Sequence, residues 1–198
     1  MKNIIELQNI KAAVKKMAIS GKISFADNCL IEEHVLFMRN DLAGRSGIVQ
    51  LIKAQDSKID GVRNIDNAKL TSGEAFICVG VAFSTAKSAA KIVNEIAVSN
   101  LDYQRTINGG GVSQGFYNNE FSLKVGSKEK LKMTLRHAMP EDGVDKPVRS
   151  EFCAVTPFII DENQTILPEI NCFNASGDAA TEGHVLEACL IGYRLSSN

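Results

Sequence analysis

The residues able to do chemistry are scattered along the chain. His34, His137 and His184 stand far apart, and none lies at a metal-ligand spacing from another histidine or a cysteine. His34 sits inside an apolar run, where a structural histidine is expected. His184, close to Glu182 and Glu187, reads as the polar entrance to a strand. A cysteine nucleophile needs a base and an electropositive or helix-terminal setting, yet Cys78 and Cys189 lie in continuous apolar runs. Cys29 and Cys172 have less apolar surroundings, but nothing in the sequence pairs either with a histidine. Glu32 with Glu33, Glu141 with Asp142, and Asp161 with Glu162 have the composition of acid–base pairs. Adjacent residues on a strand point to opposite faces, however, and in loops such pairs solvate turns. The run Asn108-Gly109-Gly110-Gly111-Val112-Ser113-Gln114-Gly115 has the glycines of a phosphate loop without its lysine and Ser/Thr. No strand leads directly into it and no helix leaves it, so it reads as a surface loop. The sequence therefore predicts no catalytic, cofactor-binding or metal-ligating residue, no cofactor, and a protein that is not an enzyme.

Composition narrows the remaining classes. With 198 residues, 44% hydrophobic and 23% charged, the chain can bury a sizeable core and is too apolar for a disordered one. Twenty-two basic against 23 acidic side chains leave a net charge of -1, so no field favours nucleic acid or a membrane surface. Lys11, Lys15 and Lys16, a local basic cluster, read as the solvated face of a helix. The chain has no tryptophan and three tyrosines, which removes the stacking platforms of a sugar cleft or single-strand groove. Neither a secretory leader nor a membrane span is apparent in it, so synthesis in the cytoplasm is expected. Five cysteines, odd in number and widely spread, fit reduced thiols rather than a disulfide framework.

The elements follow from periodicity. Ile4, Leu7, Ile10, Val14 and Met17 fall near one helical face, which predicts an amphipathic helix over residues 1–20 ahead of a single β-rich domain over 21–198. Such a helix cannot easily share a sheet's core, so it should lie on the outside of the body or on a neighbouring subunit. Strands are predicted over Leu30–Met38 and Ile48–Ile52, followed by a long decorated connection from Ala54 to Gly73. Ala75–Phe83 is apolar on both alternate sets and should be a central strand covered on both faces. Ala86, Ala89, Ala90, Val93 and Ala97 then recur at helical spacing, though a strand through Ile92–Val98 stays open. Phe121, Leu123 and Val125, then Leu131, Met133 and Leu135, alternate with polar residues and predict a hairpin turning at Gly126–Glu129. Further strands are expected at Phe152–Ile160, Thr165–Asn171 and Val185–Leu195. This many strands without regular βαβ alternation predicts a mainly β fold: a jelly roll or related antiparallel β-sandwich with an N-terminal helix and one inserted helix.

The order of an N-terminal helix, LIEEHVLFMR, a decorated loop, LTSGEAFICVGVAF and a terminal VLEACLIGYRL resembles the jelly-roll coat (capsid) proteins of viruses, especially tailless bacterial viruses. The likeness is one of pattern over most of the chain and carries no individual functional residue. It implies a virion or shell subunit that acts by self-association, with copies of itself, as a homo-oligomer, and other shell proteins as partners. Near-neutral charge suits the approach of identical copies. A ligand-binding β-sandwich module of the accessory or adhesion kind is the alternative, and an enzyme comes third.

Overall fold

The computed structural model describes residues 4–21, 23–107, 111–139, 152–173 and 175–197, with side chains in the first helix from Gln8 onward. Among the described residues eight strands form two four-stranded antiparallel sheets. They are β1 (Cys29–Asp41), β2 (Gly47–Gln50), β3 (Glu74–Ser88), β4 (Glu120–Val125), β5 (Lys128–Thr134), β6 (Cys153–Asp161), β7 (Ile166–Cys172) and β8 (Gly183–Ser197). One sheet has the order β1-β8-β3-β6 and the other β2-β7-β4-β5. The pairs β1·β8, β2·β7, β3·β6 and β4·β5 make the chain one long hairpin, rolled so that successive pairs fall alternately in the two sheets. That is the jelly-roll arrangement.

The sheets face each other across an apolar core. Phe76, Phe83, Phe121, Leu123, Ile160, Ile170, Leu186 and Leu190 are buried there, together with Phe116 and Tyr117 from the connection between β3 and β4. Phe83 and Phe121 meet edge to face across the sandwich at 4.9 Å between centroids. The predicted central strand is central: β3 lies between β8 and β6. Its core-facing residues change parity, from Phe76 and Cys78 to Val81 and Phe83. Against β8, a register shift between Cys78 and Gly80 inserts one extra residue on β3 and accounts for the change. On β8 a Cβ at Gly192 would lie 1.9 Å from the Ile77 carbonyl oxygen, so only glycine lets the two backbones approach this closely.

The N-terminal helix α1 (Ile4–Ser20) lies on the outer face of the first sheet. Val14 and Ala18 are buried against Ile31, Ala75, Ile77 and Leu195, with Ile10 and Met17 packed at the margin. The predicted stripe is thus satisfied on the outside of its own β-body, although Ile4 and Leu7 lie outside the described side chains. Lys15 Nζ donates to the Asp27 carbonyl at 2.7 Å and ties the helix to the turn that leads into β1.

Two expectations are corrected. No α-helix forms through Ala86–Ala97: β3 continues to Ser88, paired with β8 as far as Ser88↔Gly183. Beyond Val81 the opposite edge of β3 is vacated by β6, and Thr85 exchanges hydrogen bonds of 2.8 and 2.9 Å with Gln104 instead. Pairing on both sides outweighs the helical preference of the alanines. The strand through Ile92–Val98 is absent too, replaced by a 3₁₀ turn at Glu95–Asn100 capped by Asn94. In the hairpin, the turn is only Gly126 and Ser127, so β5 starts at Lys128, and it ends at Thr134, before the Leu135 that the alternation includes. Thr134 caps the short helix α2 (Leu135–Ala138), which drives Leu135 into the core. Phe121 and Leu123 face inward and fully buried as expected, with Leu131 and Met133 half-buried beside them.

Candidate functional site

The polar side chains that the fold gathers lie where β1 ends and β8 begins. Asp41, the last residue of β1, accepts from the backbone N–H of His184 at 2.9 Å and of Ala43 at 3.1 Å. Leu42 N–H donates to the His184 carbonyl, and Gly44 N–H to that of Ser176, both at 2.9 Å. These bonds seat the β7–β8 connection on the β1–β2 loop. His184 is thereby buried, 3% exposed, with Phe116 edge-on to its ring.

From His184 a polar chain runs both ways. Ser176 Oγ is 2.7 Å from Nδ1, and Ser113 Oγ is 3.1 Å from Ser176 Oγ. On the other side Glu182 Oε1 lies 3.1 Å from Nε2, without the alignment of a full hydrogen bond. Lys87 Nζ closes the chain at 2.6 Å from Glu182 Oε2. Burial holds the His184 pKa below its ordinary value, against the pull of Glu182, so the ring is neutral near pH 7. The hydrogen bond from Lys87 holds Glu182 below the usual carboxylate range. Gly177 has φ of +72°, and a Cβ there would lie 2.7 Å from His184 Nε2. A side chain at 177 would break the network.

Serine, histidine and glutamate in a row have the composition of an acyl-transfer triad, so the geometry matters. Ser176 is itself 6% exposed, and neither described groove, of about 370 and 160 Å³, reaches it. Its backbone is held by Gly44 on one side and its hydroxyl by Ser113 and His184 on the other. The network's plain capacity is to fasten three connections together: the β1–β2 loop, the β3–β4 connection through Ser113, and the β7–β8 connection.

A second polar cluster does the same on the outer face of the first sheet. Arg39 of β1 donates to Glu187 of β8 and to the Gly61 carbonyl, at 2.8 and 2.7 Å, while Ser84 of β3 donates to the other Glu187 oxygen at 2.9 Å. The Arg39 guanidinium lies 4.2 Å over the Tyr103 ring. Arg63 grips Glu95 through both terminal guanidinium nitrogens, at 2.8 and 3.3 Å. The β2–β3 connection is thus pinned to the sheet through Gly61 and the β3–β4 connection through Tyr103, and Arg63 with Glu95 ties the two connections together.

His34 is half-buried on the core-facing side of β1 against Phe76, and His137 is exposed on α2. Among the described residues no three His, Cys, Asp or Glu side chains gather into a metal cradle. Burial pushes the Cys78 and Cys189 thiols up to about 12. Cys172 is a core residue, despite its polar sequence neighbours, and Cys29 is half-buried beneath α1. Glu32 pairs with Arg194 at 2.7 Å, and Glu162 accepts from Gly73 N–H. Glu141 and Asp142 lie outside the described residues, as do Asn108–Gly110 of the glycine run. The rest of that run leads into a 3₁₀ turn, Gln114–Asn118, which delivers Phe116 and Tyr117 to the core.

Sequence reasoning passed over both networks. A signal existed for one of them, since Glu187 is a lone charge inside the apolar VLEACLIG and must find a cation once that strand is buried. The Ser176–His184 contact had none. Comparison with known proteins returns no matching family and no matching curated sequence. No described helix is long and apolar enough to cross a membrane.

Proposed function

We propose that the chain is a structural, self-assembling subunit of the virion capsid or shell kind, acting through contacts with copies of itself and with other shell proteins. One observation carries this reading: a rolled four-pair hairpin whose interior and loop ends are both given over to structure. Jelly rolls also serve as lectins and as enzymes with a cavity between the sheets. Here Phe76, Phe83, Phe116, Tyr117 and Phe121 occupy that space. Among the described residues at the loop end, Asp41, Ser113, Ser176, Glu182 and Lys87 gather around His184. What then remains for recognition is the outer surface, as in a building block.

A binding module is the second reading, favoured by the groove of about 370 Å³ between the end of α1 and β6, where Ser20, Lys130, Asp161 and Gln164 offer polar contacts. Mass measurement in solution by light scattering separates the two. A closed symmetric oligomer or a shell-sized particle is the expected result, and a protein that remains monomeric at high micromolar concentration would sink the assembly reading.

A further inference from the structure

We infer that the free edge of β2 is a twofold contact, at which the β2 strands of two copies pair antiparallel and join their second sheets into one. The inference rests on the assembly reading above and names the surface that performs it.

The four sheet edges are treated unequally. The edge of β1 is covered by its neighbouring loop: Arg39 N–H donates to the Val62 carbonyl, Phe37 N–H to Asn64 Oδ1, and Asn64 Nδ2 to the Val35 carbonyl. The edge of β6 contains Pro157, which lacks an amide proton. The edge of β5 carries Lys128, Glu129, Lys130 and Lys132. A cover, a proline and a run of charge are the devices by which proteins prevent edge pairing. Among the described residues the β2 edge, Gly47-Ile48-Val49-Gln50, has none of these three, and shortness is its one restraint.

Its open groups follow from register. Leu51 N–H donates to the Pro168 carbonyl, continuing the pairs Val49↔Ile170 and Gly47↔Cys172. Hydrogen-bonded pairs alternate along an antiparallel ladder, so the amides and carbonyls of Ile48 and Gln50 point away from β7, to the free side. Ile48 is also 70% exposed on the outer face, and Phe173, two residues beyond its cross-strand partner Asn171, is 57% exposed.

A second copy fits both features at once. Centring the twofold on Ile48 sets Ile48 opposite itself, Gly47 opposite Val49, and Ser46 opposite Gln50. No charge falls within this stretch, and the Ile48 side chains of the two copies cover each other with Phe173 alongside. Ser46–Gln50 is the uncharged part of this edge: Arg45 precedes it, and Lys53 follows only after the bend at Leu51 and Ile52.

The test uses the full chain. Ile48→Lys places a charge on the edge at an exposed position, and Val93→Lys, at a side chain 85% exposed elsewhere, is the control. Melting temperature reports folding, light scattering reports mass, and hydrogen exchange reports the Ile48 and Gln50 amides in the wild type. Expected are a halved mass for the smallest assembled species in Ile48→Lys only, and amides slowed roughly tenfold or more in the assembled wild type. An assembling wild type with fast Ile48 and Gln50 amides, or a folded Ile48→Lys protein that assembles unchanged, would overturn the edge contact while leaving the assembly reading in place. A monomeric wild type would overturn both. Should Ile48→Lys fail to fold, the wild-type exchange rates decide alone.

Discussion

Removing the Glu187 carboxylate should be among the most damaging single changes outside the apolar core. Glu187 and Arg39 keep side-chain exposures of only 11% and 19%, and each is committed elsewhere too: Glu187 to Ser84, Arg39 to the Gly61 carbonyl and the Tyr103 face. Deleting one partner of a buried pair costs about 3–5 kcal/mol, because the other charge is left desolvated. Residual exposure puts this pair at the lower end, so Glu187→Ala and Arg39→Ala should each lose about 3 kcal/mol. For a chain of this size that is a fall in Tm of roughly 6–12 °C. The double variant should lose much less than the sum, with a coupling of about 2 kcal/mol, since no orphaned charge remains. Arg39→Met with Glu187→Leu should come close to wild type. Urea unfolding followed by circular dichroism, with the m-value checked for constancy, measures all four corners. Additive single losses, or a loss below about 1 kcal/mol for either, would refute the claim that this pair anchors the connections to the sheet.

Leu123→Asp should abolish cooperative folding, because Leu123 is fully buried and an unpaired carboxylate in the core exceeds the marginal stability of a domain; a soluble variant with a cooperative melt would refute the packing. His184 has a folded pKa below its ordinary value of 6.5, so the stability gained from keeping it neutral is full above that value and is lost as pH falls through it toward the folded pKa. Wild type should therefore lose more urea resistance than His184→Gln between pH 7.5 and 5.5, and parallel pH profiles would show that the ring does not titrate with folding. Deleting residues 1–20 uncovers Ala75, Ile77 and Leu195 on the first sheet and should lower the Tm or cause aggregation. A truncated protein with unchanged Tm but a smaller assembled mass would instead make α1 an assembly arm.

Hydrophobic period alone determined most of the strands. Phe121 and Leu123 alternate with Glu120, Ser122 and Lys124, so one face had to be wet, and the unbroken apolar run from Ala75 to Phe83 had to be covered on both sides. Where local preference and tertiary pairing disagreed, the tertiary structure decided. The alanines from Ala86 onward have a helical spacing, yet β8 pairs the backbone as far as Ser88 and Gln104 adds a partner to Thr85 on the other edge, so the chain stays extended to Ser88. The polar networks were decided entirely by the roll of the long hairpin. Asp41 and His184 are 143 residues apart in sequence, and Arg39 and Glu187 are 148 apart. Only the antiparallel pairing of β1 with β8 makes each of these couples neighbours. The open edge of β2 is the same kind of fact: GIVQ reads as an ordinary short strand until the sheet order leaves one of its sides without a neighbour.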